Sequence, residues 1–160
     1  MSTIKLWLAL ATFATIVGFS NPARGDKPRA MVVVVAKDSK VTGLSMMELK
    51  RCFSGDAVVV ADQRLIPFNY PAGSTERIAF DRAALGMSPE EVGRFWVDRK
   101  IRGESSAPHA LPSAAHVKKI VAKFPGAIAY LPIDELTGDV RAIALDGVRP
   151  GASGYPIMVK

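Results

Sequence analysis

The chain has a single cysteine, Cys52, among its 160 residues. An internal disulfide framework is therefore excluded, and stability has to come from a packed core. Long apolar runs are also missing. The longest uncharged and mostly apolar stretch, Leu6 to Phe19, has 14 residues, short of the ~20 needed to cross a bilayer as a helix. Aromatic residues make up 8% of the chain and do not interleave with its basic residues, so a stacking platform for nucleic acid is not expected. Catalytic signatures are scarce too. There is no GxSxG elbow, no phosphate-binding GxxxxGK[ST] loop and no dinucleotide GxGxxG. The two histidines, His109 and His116, are seven residues apart with no cysteine or carboxylate partners at metal-ligand spacing, so they read as surface or capping residues. The adjacent acids Glu90/Glu91 and Asp134/Glu135 read as first-turn and loop residues. These absences argue against an enzyme, and no metal or cofactor is expected.

What is present begins with a targeting pattern. Lys5 precedes the Leu6–Phe19 run, which ends at Ser20, Asn21 and Pro22. This order fits a secretory signal peptide over residues 1–25, with small residues for cleavage at Gly18/Ser20 or Ala23/Gly25. Cleavage after Gly25 is expected, with an uncleaved N-terminal anchor as the alternative. No cysteine follows the run closely, which disfavours a lipoprotein. Export implies a periplasmic or otherwise secreted protein. Without Lys5 and Arg24 the chain keeps 19 basic residues against 15 acidic ones, a net charge of +4. That mild excess suits anionic ligands or membrane surfaces and falls short of a nucleic-acid-binding stripe.

Residues 26–160 fit one domain, long enough to bury roughly 70% of its unfolded surface. Met31 to Ala36 (MVVVVA) predicts a strand buried on both faces. Leu44 to Gly55 predicts a helix, with Ser45 and Glu48 forming a capping box, Met46, Leu49, Cys52 and Phe53 on one face, and Gly55 closing it. Residues 57–60 and 64–70 read as extended, with Pro67 at an edge or at the end of pairing. Three helices are expected next. One runs from Ser74 to about Leu85. One opens with Ser88, Pro89 and Glu91 and carries Val92, Phe95 and Trp96 as its stripe. One opens at Ser113 and buries Val117, Ile120, Val121 and Phe124. Ala127 to Leu131 and Val140 to Leu145 complete the pattern as strands. The fold class is α/β, a mixed sheet flanked by helices.

One stretch carries binding chemistry. Pro71-Ala72-Gly73-Ser74-Thr75-Glu76-Arg77 joins a strand end to a helix start. Backbone N–H groups at a helix N-terminus and the positive dipole end favour an anion. Gly73 permits close approach, Ser74 and Thr75 add hydroxyls, and Arg77 offers a planar charged donor. The plainer alternative is an ordinary cap in which Ser74 serves only the backbone.

Four stretches, in order, resemble the phosphate-type substrate-binding proteins of bacterial ABC transporters. Leu44-Ser45-Met46-Met47-Glu48-Leu49 through Phe53-Ser54-Gly55 is similar to the family's "LSxxELxxIFxG" element. Leu65-Ile66-Pro67-Phe68 with Gly73-Ser74 and Phe80 resembles its "IxPV…GS…F" segment. Phe124 to Leu131 resembles "xPGAIGYV", and Asp146-Gly147-Val148 with Tyr155-Pro156 its closing "DGVxP…YP". The resemblance covers about residues 31–158. It implies one lobe of a type II periplasmic binding protein, with no counterpart of the family's first lobe. It also implies a small oxyanion, phosphate foremost, held weakly at Gly73, Ser74, Thr75 and Arg77. Where the family offers an Arg, an Asp and a Ser-Gly-Thr run, this chain has Tyr70-Pro71-Ala72-Gly73-Ser74-Thr75-Glu76. Only Gly73 and Ser74 carry over, and Glu76 brings a repelling carboxylate. An envelope interaction module, pairing with another envelope protein or a second copy, is the alternative reading.

Overall fold

A computed structural model describes residues 29–159. The expected signal peptide, and the start of the expected domain at residue 26, lie outside these residues. The chain runs β1 (Arg29–Ala36), β2 (Gly43–Leu44), α1 (Met46–Phe53), β3 (Val59–Val60), β4 (Gln63–Arg64) and β5 (Ile66–Asn69). It continues through α2 (Thr75–Phe80), a π turn (Asp81–Leu85), α3 (Pro89–Ile101), β6 (His109–Ala110) and α4 (Ala114–Lys123). It ends with β7 (Ala127–Pro132), a 3-10 turn (Ile133–Glu135), β8 (Val140–Ala142), β9 (Ala144–Leu145) and β10 (Met158–Val159).

The two most apolar runs among the described residues are neighbours at the centre of the sheet. β1 pairs antiparallel with β7, Val32 opposite Leu131 and Val34 opposite Ala129. Every described side chain from Met31 to Pro132 in these two strands is buried. That is why neither run alternates with polar residues: helices and turns cover both faces. The main sheet has the order β10-β1-β7-β5-β6, with β8 also on β1. β5 pairs parallel with both β7 and β6, so the sheet is mixed, as expected. β5 is therefore an interior strand. Pro67 is tolerated because its partner there is Ile128 of β7, while pairing with β6 begins only at Phe68.

Local punctuation matches the residues that favour it. Both Ser45 and Ser88 complete capping boxes, with Glu48 and Glu91, satisfying amides that a helix start leaves open. Four expectations need correction. The helix begun at Ser74 is α-helical only to Phe80 and widens into the π turn, closed by Gly86 at φ +71°. Phe124 is 53% exposed, because the chain leaves helical geometry at that residue to enter the Pro125-Gly126 turn. The strand expected over 140–145 splits at Ile143: β8 stays on β1, whereas β9 pairs parallel with β2. Finally, α3 docks lightly. Only Val92 of its 13 residues is buried, and Phe95 and Trp96 are half-buried. A gap is left beside α2.

The tail, rich in Gly and Pro, is bound into the core. Tyr155 donates its hydroxyl to the Ile143 carbonyl (3.0 Å) and accepts from the Val33 amide (3.2 Å). Ile157 is fully buried, and β10 extends the sheet at β1.

Candidate anion-binding site

The 70–77 loop hangs from an aromatic and amide scaffold under the sheet. Tyr130 of β7 stacks on Phe80 of α2 at 3.8 Å between ring centroids and an interplanar angle of 2°. Its hydroxyl donates to Asn69 Oδ1 (3.0 Å) and accepts from the Tyr70 amide (3.4 Å). Asn69 is buried, so this pairing satisfies a polar side chain that would otherwise be costly inside the core. β5 and α2 are thus tied to one central residue, and the loop between them has fixed ends.

Within the loop, Pro71, Ala72, Gly73 and Thr75 are exposed. Gly73 has φ +84°, a left-handed conformation that glycine adopts without steric cost. Ser74 is the N-cap. Its hydroxyl accepts from the Arg77 amide (3.2 Å) and donates to the Pro71 carbonyl (2.9 Å). The hydroxyl therefore serves the backbone. Among the described residues the first-turn amides of Thr75 and Glu76 make no backbone hydrogen bond, and they face no carbonyl of their own helix. Among the described residues the Glu76 carboxylate accepts no hydrogen bond from these amides, so the tip is not closed by its own glutamate.

Arg77 lies elsewhere than a loop donor would. It is 8% exposed, its Nε donates to Asp81 Oδ2 (2.5 Å), and its Nη1 reaches the Tyr70 carbonyl (3.4 Å). The guanidinium is a strut behind the loop. Burial raises the Asp81 pKa, an effect that the charge and hydrogen bond of Arg77 oppose. The structure therefore brings Gly73, Ser74 and Thr75 together at one helix start and sets Arg77 beneath it. Asp81 does not stand out in the sequence. An Arg and an Asp four apart on one helix was the available signal, and it carried no indication of burial.

Cys52 is free and fully buried. His116 sits at the start of α4 with Nδ1 2.9 Å from Ser113 Oγ, and His109 is exposed in β6. Among the described residues no group of three metal-ligating side chains forms, and no helix is long and apolar enough to cross a membrane.

In sequence and in fold the described chain is similar to phosphate ABC transporter substrate-binding proteins, of which it spans a part. One curated relative is the phosphate-binding protein PstS of Bacillus subtilis (strain 168). It is 35% identical over 139 residues, and the match takes in 79% of this chain and 41% of PstS. Two solved structures show the same fold. An ABC-type phosphate transport receptor from Vibrio cholerae superposes with a TM-score of 0.63 at 20% identity, over 77% of this chain and 48% of that one. A Clostridium perfringens protein, described as a phosphate ABC transporter substrate-binding protein and crystallised with phosphate, gives 0.66 at 18%, over 82% and 53%. This chain therefore spans about half the length of these relatives or less. Their names describe receptors and binding proteins rather than enzymes. No protein-family model matches the chain.

Proposed function

We propose that this chain is an exported solute-binding protein that holds phosphate or a similar oxyanion weakly at the Gly73-Ser74-Thr75 helix start. The observation that carries this reading is the exposed tip itself. Two first-turn amides, of Thr75 and Glu76, are left open beside a glycine with no side chain to bar approach. Relatives named as phosphate-binding proteins support the choice of anion. The described residues surround the tip on one side, so a bound anion keeps much of its hydration and stays screened by salt. Weak affinity follows from that. Arg77 contributes by position, since its charge lies behind the loop and is largely balanced by Asp81.

Among the described residues the six large exposed apolar side chains (Met47, Val59, Ile66, Val97, Ile101 and Phe124) are spread over four elements and the turn after α4. Scattered exposure of this kind is ordinary and gives no reason to prefer a docking role. Calorimetric titration of the purified protein with inorganic phosphate at low ionic strength tests the reading. Binding in the millimolar range or tighter is expected. Glu76→Gln should tighten it by about threefold to tenfold, because it removes a like charge near the anion. No heat up to millimolar phosphate, in either form, would sink the proposal.

A further inference from the structure

We propose that the oxyanion taken by this loop carries an organic group: a phosphonate or phosphate monoester whose small, mostly apolar, hydroxyl-bearing substituent enters a cavity between α2 and α3. The inference rests on the loop reading above and specifies its ligand.

The cavity has a volume of about 290 Å³ and fills the gap left where α3 docks lightly. Its apolar walls include Val92 and Trp96 of α3 and Pro108 ahead of β6, and its rim includes Ala72 and Gly73 of the anion loop. An oxyanion seated at the tip therefore has the cavity mouth beside it. An apolar cavity of about 150 Å³ already takes up benzene, so a ring or short branched chain fits in this one. Inorganic phosphate would use none of it.

The polar groups in the walls point to one further feature. Asp81 and Tyr70 both line the cavity and are 3% and 5% exposed. Among the described residues Asp81 Oδ1 and the Tyr70 hydroxyl have no hydrogen-bond partner, and neither does the buried Trp96 indole N–H in the same wall. Leaving such groups buried and unpaired is costly. Asp81 spends its other oxygen on Arg77. The Tyr70 pKa is pushed up, first by burial and then by the charges of Glu76 and Glu135, so its hydroxyl keeps its proton and can donate. A hydroxyl on the substituent can give to the carboxylate and accept from the phenol.

Gly93 supplies a clean test. It lines the cavity from an exposed position inside α3, and a Cβ built there meets nothing within 4 Å. Gly93→Leu should fill the cavity while favouring the helix. Ala107→Phe, on an exposed wall residue, plugs it from the opposite side. Calorimetry on the full chain would compare inorganic phosphate, phenylphosphonate and 4-hydroxyphenylphosphonate, with a thermal melt of each variant as the folding control. Phenylphosphonate should bind about tenfold tighter than phosphate from apolar burial alone, and the 4-hydroxy compound tighter again. Either plug should erase that advantage and leave phosphate affinity unchanged. If phosphate binds and phenylphosphonate binds no better, or if neither plug affects it, the cavity inference falls and the loop reading stands. If neither anion binds, both fall.

Discussion

Cys52 lies on the buried face of α1 with no exposed surface, and burial pushes its thiol pKa up to about 12 from an ordinary 9.0. It should be inert to a disulfide reagent such as DTNB at pH 8 in the native protein and react fully in denaturant. Because the folded pKa is raised, the buried thiol favours folding below about pH 9, and this contribution is lost as pH climbs from there towards 12. Urea midpoints that fail to drop across that alkaline window would contradict the shift. Arg77 and Asp81 make a second residue-scale case. Their side chains are 10% and 4% exposed, so removing one partner strands a buried charge. Arg77→Met should cost about 3–5 kcal/mol, whereas Arg77→Met with Asp81→Leu should return close to the parent stability. Equilibrium urea unfolding of both variants checks the pattern. Equal losses would mean that the pair is worth more than its desolvation.

At the scale of elements, turns decide how the central strands enter the sheet. Gly126 connects α4 to β7 at φ +84°, and a Cβ there would lie 2.3 Å from the Arg64 carbonyl oxygen. Its own carbonyl accepts from the Ile66 amide at 2.8 Å, so the same residue holds β5 in place. Gly126→Ala should therefore destabilise by more than ~1 kcal/mol, since neither the backbone conformation nor the close approach suits a side chain. A melting temperature unchanged by the substitution would show that the turn can relax. Helix starts were legible in the sequence down to the residue, because a Ser with a Glu three places on satisfies amides by purely local contacts. Helix continuation was not. The switch to π geometry at Asp81 lies in a region where the Arg77–Asp81 pair, Phe80 and Tyr130 all pack, and no local pattern encodes that packing.

Across the whole molecule, the tail holds the sheet together. The Tyr155 hydroxyl bridges Val33 and Ile143, residues 122 and 12 positions away. Tyr155→Phe leaves a buried amide and a carbonyl each one partner short and should cost about 1–3 kcal/mol. Chemical denaturation measures this directly, and a neutral result would mean that water or a shift of β10 makes up the loss. The buried apolar runs of β1 and β7, the α/β order and the serine-capped start of α2 could all be read beforehand, since strand burial and capping depend on residues near one another in the chain. The two-residue strands β2 and β6 and the closing β10 could not. Each is too short to show a period and exists because a distant partner is there.

Composition and local pattern by themselves determined that this chain folds as an α/β domain, and where its helices begin. They also determined that a glycine and two hydroxyl residues stand at one helix start, because such features follow from neighbours within a few residues. Only the tertiary structure decided that Arg77 is turned inward onto Asp81, that the loop amides stay open, and that a cavity adjoins them. Those outcomes depend on how α2, α3 and β7 pack, and packing is a property of surfaces far apart in the chain.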